Sequence, residues 1–371
     1  MKILLVGNYL LDQHESMQRF ANMLQVGLVQ LGYEVRLIQP EPFFRRLSPS
    51  GKRVGKWLGY IDKFLLFPCQ LGRVLSWADV VHICDHSNAI YTNFLQIVPH
   101  LVTCNDLLAI RSALGEIKEN PTRWTGQQLQ HLILKGLERS HRIACISEQT
   151  GTDLIRLTKI NPDIVSVIYM GLNYSYSPME KVEADERLEF LGISSNSPFI
   201  LHVGGNHWYK NRLGVLAIFN YLRQQPELSD LLLFMVGKPF TDRMHQFVQG
   251  NSLETKVREL VAVENEDLRA LYSTATALLF PSLQEGFGWP IVEAQACGCP
   301  VFTSNRAPMT EVGGEAAIYI NPDCPEEAAR EIAKNLPNVS KLKQAGLINV
   351  QRFTSQTMLE SYIKLYQEIC Q

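Results

Sequence analysis

The sequence predicts an α/β protein made of two doubly wound, parallel-sheet domains in tandem. Three observations carry the prediction. Short β-branched apolar runs alternate with longer amphipathic runs along most of the chain. The short runs are apolar nearly throughout, as strands covered on both faces must be. The pattern then restarts after a polar gap, "NYSYSPMEKVEADERLEFLGISSNSP", at 173–198. At 371 residues the chain also exceeds what one ordinary core holds. The expected division is 1–175 for the first domain and 176–353 for the second. A C-terminal helix at about 354–371 is expected to pack back on the first.

The first series of strands reads "KILLVG" from Lys2, "EVRLI" from Glu34, "DVVHI" from Asp79, "HLVTC" from His100, "RIACI" from Arg142 and "VSVIY" from Val165. The second reads "FILHVG" from Phe199, "LLLFMVG" from Leu231, "KVRELV" from Lys256, "TALLF" from Thr276 and "PVFTS" from Pro300. Helical patterns such as "MQRFANMLQVGLVQLG" and "RLGVLAIFNYLRQQ" lie between them. Sheets of this kind bind ligand beyond the carboxyl ends of their strands. Functional residues should therefore directly follow strands, and domains that face each other would place the site in a cleft between them.

Bulk composition narrows the function. An apolar fraction of 46% with 19% charged residues describes a soluble globular protein. A net charge of -2 supplies no field that selects nucleic acid. No apolar run approaches the ~18 residues of a membrane span, and "MKILLVGNYL" reads as a strand rather than a signal peptide. The eight cysteines form no CxxC pair and no cluster with zinc spacing, so no metal is predicted. Cys84, Cys104 and Cys145 sit in apolar runs as small hydrophobes. The expectation is a cytoplasmic protein with reduced thiols.

The most informative stretch is "PSLQEGFGWPIVEAQACGC", 281–299. A strand ends just before it. Pro290 suits the first turn of a helix, and Gly298 suits its end. The amides of Phe287, Gly288 and Trp289 then precede a helix N-terminus, which favours an anion such as phosphate. Gly286 and Gly288 let backbone come close to a ligand. Two carboxylates beside a phosphate site, Glu285 in the loop and Glu293 one turn into the helix, make sense as acceptors of hydroxyl hydrogen bonds on either side of it. Alone, Glu293 also reads as a helix-dipole partner.

The order "EGFGWPIVEA" resembles the Glu-x7-Glu signature of the retaining glycosyltransferases of family 4, which have the two-domain GT-B fold. "FILHVGGNHWYKN" is similar to that family's first strand and phosphate loop in the second domain. "ACISEQTGTDL", "VIYMGLN" and "VAVENEDLRALYSTATALLFPS" extend the resemblance from Arg142 to about Ser304. It implies a nucleotide-diphosphate sugar as donor, of GDP-mannose or UDP-glucose type, a glycan or lipid-linked acceptor, and no metal or other cofactor. Glu293 would hold the ribose hydroxyls and Glu285 the transferred sugar. Lys210 would stabilise the leaving diphosphate together with Gly204, Gly205, Asn206 and Asn211 of its loop. Gly286, Phe287, Gly288 and Trp289 would contact sugar or phosphate, and Val261, Ala262 and Val263 the base.

The chain departs from that pattern at three places. Many relatives carry an arginine where Gly205 stands, and Arg212, Asn206 and His207 are the nearby candidates to compensate. The first strand is followed by "VGNYLLDQHESMQRF", with Gly7 alone. "TCND" has Asn105 where relatives often have histidine, leaving Asp106. In "VHICDHSNAIY", Asp85 and His86 follow a strand and are candidates to orient an acceptor hydroxyl, or a capping Asp beside a structural His. The catalytic candidates are therefore Lys210, Glu285, Asp106 and His86. His82 and His202 alternate into apolar strands, where packing is the default.

The stretch at 43–73 mixes Arg45, Arg46, Lys52, Arg53, Lys56 and Lys63 with Trp57, Tyr60, Phe64, Leu65 and Phe67. It is a candidate for peripheral contact with anionic lipid, or a core-facing helix with a solvated basic face. Competing functions are a GT-B-type epimerase or phosphorylase and a non-catalytic nucleotide-sugar sensor or partner subunit. A nicotinamide dehydrogenase is excluded, because no G-x-G-x-x-G follows the first strand.

Overall fold

The structure, a computed structural model, describes residues 1–12, 15–46, 52–95, 97–194 and 197–371. The side chains of Lys52, Arg53 and Lys56 in the basic stretch lie outside the described residues. The chain divides into two compact units, residues 1–173 with 355–371, and residues 174–354.

The first unit is built on a six-stranded sheet: β1 (Lys2–Val6), β2 (Glu34–Ile38), β3 (Val80–Ile83), β4 (His100–Cys104), β5 (Arg142–Cys145) and β6 (Val165–Val167). The strand order is β2-β1-β3-β4-β5-β6, and every pairing is parallel. The central strands β3 and β4 are buried along their whole length, which is why they read as unbroken apolar runs. The helix Glu15–Gln30 buries Phe20, Leu24 and Leu28, one residue per turn, against this sheet.

The C-terminal helix Ser355–Cys370 belongs to this first unit, and polar contacts fix it there. His82 Nδ1 lies 2.7 Å from Tyr366 Oη, and His82 Nε2 lies 2.8 Å from Thr103 Oγ1. Thr103 Oγ1 in turn lies 2.9 Å from Tyr362 Oη. All four side chains are buried, so these groups need one another as partners. Gly27 lets the two helices approach, since a Cβ there would lie 2.4 Å from Leu359 Cδ1.

The second unit has β7 (Phe199–Val203), β8 (Leu232–Gly237), β9 (Val257–Val261), β10 (Ala277–Phe280), β11 (Val301–Ser304) and β12 (Ala317–Ile320). Their order is β12-β11-β10-β7-β8-β9, again all parallel. Sequence reasoning expects eleven strands, and the described residues hold twelve. The additional one, β12, is "AIYI" at a sheet edge, half-exposed in its middle and directly after a one-turn helix, so no long amphipathic run sets it off.

Strand order reverses between β1 and β3 in the first sheet and between β7 and β10 in the second. A doubly wound sheet opens a crevice at such a point, beyond the strand ends. The segments that follow these four strands are therefore where chemistry is expected. No described helix is long and apolar enough to cross a membrane.

Candidate active site

At the switch point of the second sheet, β7 and β10 lie side by side, with Leu201 paired to Leu278. The segment after β7 turns sharply at Gly204, whose amide donates to Val236 O at 2.9 Å. The end of β8 makes room for this turn. A Cβ on Gly237 would sit 2.1 Å from the Gly204 carbonyl oxygen, and its φ of 146° also favours glycine. A single helical turn, Trp208–Lys210, follows, and then Asn211 in the left-handed conformation.

Two bonds tie this loop to the one after β10. Asn211 Nδ2 donates to Pro281 O at 3.1 Å, and Leu283 N donates to Tyr209 O at 2.7 Å. The tie brings Lys210 Nζ to 2.7 Å from Glu285 Oε1. Both side chains are largely withdrawn from solvent, at 16% and 8% exposure, so water screens the pair less than it screens a surface ion pair. Ser282 Oγ donates to the same carboxylate oxygen at 2.7 Å, and the Phe280 ring lies 5.1 Å from the ammonium. Lys210 is thus a built-in cation of the switch point and not the exposed helix-start lysine that its position alone suggests.

The helix Trp289–Ala296 begins with Gly288 at φ 105° and has Pro290 in its first turn. The amides of 286–289 stand at its positive end. Glu293, 5% exposed, accepts a hydrogen bond on Oε2 from Tyr272 Oη at 2.9 Å. Tyr272 is fully buried and comes from the helix Asn265–Thr274. Burial, reinforced by the Glu293 charge, pushes its phenol well above the ordinary tyrosine range, so it remains a donor.

Val261 ends β9, and Ala262 has a positive φ of 56°. With Val263 these residues line a groove of about 810 Å³ that also takes in Arg187, Arg258 and Glu264. Lys210, Glu285 and Glu293 do not line that groove. Behind the loop after β7, His202 is buried, and its Nδ1 lies 2.9 Å from Leu279 O. Burial lowers its pKa to about 3, so the ring is neutral.

The first unit gathers a polar cluster at its own switch point. Asn8 follows β1 and donates through Nδ2 to Asp85 Oδ2 at 2.5 Å. Asn105 follows β4 and donates to Asp85 Oδ1 at 3.1 Å. Ser87 supplies both its hydroxyl and its amide to the same carboxylate, so Asp85 does cap the 3-10 segment His86–Phe94. His86 Nδ1 lies 3.1 Å from Asp85 Oδ1 without hydrogen-bond alignment. Burial alone would raise the Asp85 pKa, but His86, Ser87 and Asn8 outweigh it and hold the carboxyl well below the usual range. Burial would likewise lower the His86 pKa, and the charges of Asp85 and Asp106 reverse that and raise it. Asp106 Oδ1 accepts from Leu108 N at 3.0 Å, which starts the helix Leu108–Ala113.

Sequence reasoning thus names residues that the structure brings together in two clusters, one in each unit. It misses Tyr272 and Ser282, which orient the two glutamates. Their spacing from those glutamates, 21 and 3 residues, matches no motif of the stretch.

The comparisons with known proteins agree with this fold. The family model described as Glycosyl transferases group 1 matches residues 183–367. The model described as Glycosyltransferase Family 4 matches residues 17–176. Among curated proteins, the chain is 26% identical over 243 residues to the O-antigen chain mannosyltransferase B of Escherichia coli, covering 64% of each chain. It is 27% identical over 208 residues to the O-antigen chain mannosyltransferase RfbU of Salmonella typhimurium, covering 55% of this chain and 53% of that one. The matched regions therefore span less than two thirds of these relatives' own length. Among solved structures, a sucrose-phosphate synthase from Thermosynechococcus elongatus superposes with a TM-score of 0.78 at 18% identity, over 99% of this chain and 98% of that one. Anabaena HepE in complex with UDP and glucose gives 0.76 at 16% identity, over 99% and 100%. These likenesses show two Rossmann-like domains of the GT-B type. With family models matching residues 17–176 and 183–367, most of its length, the chain belongs to the family 4 glycosyltransferases, the glycosyl transferases group 1.

Proposed function

We propose that this chain is a retaining hexosyltransferase that moves a hexose from a nucleotide-diphosphate sugar to an acceptor hydroxyl without a metal ion. The observation that carries the reading is the second unit's switch point. There the Lys210–Glu285 pair stands beside a helix start whose first turns run on to the buried Glu293. In this reading Glu293, oriented by Tyr272, accepts hydrogen bonds from the ribose hydroxyls. Glu285 accepts from hydroxyls of the transferred sugar. Lys210 and the amides of Phe287 and Gly288 take the charge that grows on the diphosphate, the kind of contact that strengthens in the transition state.

The bond from the sugar's anomeric carbon to the phosphate oxygen breaks, and the acceptor oxygen bonds to that carbon on the same face. The acceptor proton passes to the departing phosphate oxygen. The first unit's cluster of Asp85, His86, Asn105 and Asp106 serves the acceptor side, with His86 and Asp106 as orienting groups.

The curated relatives are named mannosyltransferases and favour a GDP-mannose type of donor. Anabaena HepE, a solved neighbour, is in complex with UDP-glucose, which keeps that donor in the panel. The acceptor is a glycan or a lipid-linked glycan. Phe43, Trp57 and Leu65 are exposed beside Arg45 and Arg46, which supports peripheral contact of 43–73 with an anionic cytoplasmic membrane face.

The test is turnover with GDP-mannose and UDP-glucose and a panel of glycan acceptors, with the anomeric configuration of the product read by NMR. Transfer with retention supports the reading. Nucleotide binding without release of nucleoside diphosphate from any donor contradicts it.

A further inference from the structure

Arg212 is an anomaly beside the phosphate loop. The residue is 4% exposed. Among the described residues no carboxylate reaches it within ion-pair distance, and its Nε and Nη2 are buried without a hydrogen-bond partner. The charge of Glu259 acts on it from beyond that distance, and burial has removed the hydration of Nε and Nη2 with no hydrogen bond in its place, which is costly. Folded proteins leave a charge in this state mainly where something else completes it.

Its surroundings indicate what does. Arg212 Nη1 donates to Asn206 Oδ1 and to Lys238 O, the latter at 2.7 Å. Asn206 Nδ2 donates onward to Pro239 O at 2.7 Å. Arg212 therefore latches the loop after β7 to the loop after β8. The Phe240 ring, 5.2 Å from its guanidinium carbon, covers one side. Arg212 also lies two residues from Lys210, and both cations act on the buried His202 between the strands.

Gly205 contributes no charge to the loop. A Cβ there would meet only His207 Cδ2, at 3.7 Å, so the place is open to a side chain that the sequence does not supply.

We infer that Arg212 is the second cation of the diphosphate site. It holds the Gly204–Asn206 turn in place through Asn206, and its charge, held by no ion pair among the described residues, adds to that of Lys210 in drawing a diphosphate onto the turn. The inference rests on the reading of the second unit as a nucleotide-sugar site.

The probe is inorganic pyrophosphate, which carries the charge of the ligand and no base or sugar. Its affinity for the full chain is measured by calorimetry for wild type, Arg212→Met, Arg212→Lys and the double variant Gly205→Arg with Arg212→Met. Arg212→Met should bind about tenfold more weakly, the factor that corresponds to 1.4 kcal/mol. Arg212→Lys should stay close to wild type, and Gly205→Arg should restore most of what Arg212→Met loses.

Arg212→Gln keeps hydrogen-bonding capacity without charge and replaces Arg212→Met if that variant does not fold. Wild-type affinity in Arg212→Met or Arg212→Gln overturns the inference. So does a loss in Arg212→Lys as large as in Arg212→Met, which would make the residue a latch alone. Failure of wild type to bind pyrophosphate or any nucleoside diphosphate would instead overturn the nucleotide-sugar reading itself.

Discussion

Tyr272 Oη donates a hydrogen bond to Glu293 Oε2 at 2.9 Å, with the tyrosine fully buried and the glutamate 5% exposed. The pair joins two neighbouring helices of the second unit, and it orients a carboxylate that would otherwise be buried with fewer donors. A hydrogen bond to a charged group contributes about 1.5–3 kcal/mol, and a buried acceptor deprived of its donor costs a comparable amount.

If Glu293 holds the donor's ribose as proposed, Tyr272→Phe should raise the donor KM by about tenfold and leave kcat less changed, because a ribose contact of that kind is made alike in ground and transition states. Steady-state kinetics with a saturating acceptor check the split. A fall confined to kcat would assign Tyr272 to the chemical step instead.

Lys210 and Glu285 should behave as one unit. Lys210→Ala is expected to lower kcat by about a hundred- to a thousandfold, as loss of a transition-state charge contact does. Glu285→Gln should lower turnover as well. Groups in direct contact at 2.7 Å should not add. The double variant should lose less than the product of the two single losses, and strict additivity in the cycle would deny the coupling.

Buried histidines, His82 and His202 among them, should contribute to the loss of stability in acid. Burial lowers the pKa of His82 and of His202 from 6.5 to about 3 in the folded state. Each is a depressed group, so the unfolded chain binds more protons between those values. Stability is then full above pH 6.5 and falls as pH drops toward 3, by up to about 1.4 kcal/mol per pH unit for each ring. His86 has the opposite sign, because its raised pKa makes its contribution fade as pH rises. Urea unfolding across this range should show the acid loss, and His82→Gln should lessen its slope while lowering stability at neutral pH.

Much of this was legible beforehand because the chemistry is local. The Glu285 to Glu293 stretch carries its own turn glycines and helix-start proline, and the buried strands such as β1, β3, β7 and β10 announce themselves as apolar runs. What could not be read depends on distant parts of the chain. The C-terminal helix was expected to return to the first unit, but not the contacts that hold it there: His82 meets Tyr366 across 284 residues, and Thr103 meets Tyr362. Asp85 is a cap and also the centre of the Asn8 and Asn105 hydrogen bonds, which only the adjacency of β1, β3 and β4 creates. β12 escaped because it is an edge strand directly after a one-turn helix, with no long amphipathic run to set it off.

The central claim is a nucleotide-sugar site in the second unit with Glu293 in it. The most direct test is a thermal-shift series with GDP, UDP and ADP on wild type and Glu293→Ala. A ligand that binds only the folded state raises its stability by RT ln(1 + [L]/Kd). The account predicts that one nucleoside diphosphate raises the wild-type midpoint and that Glu293→Ala loses most of the shift. No shift with any of them, or a shift that survives unchanged in Glu293→Ala, would contradict it.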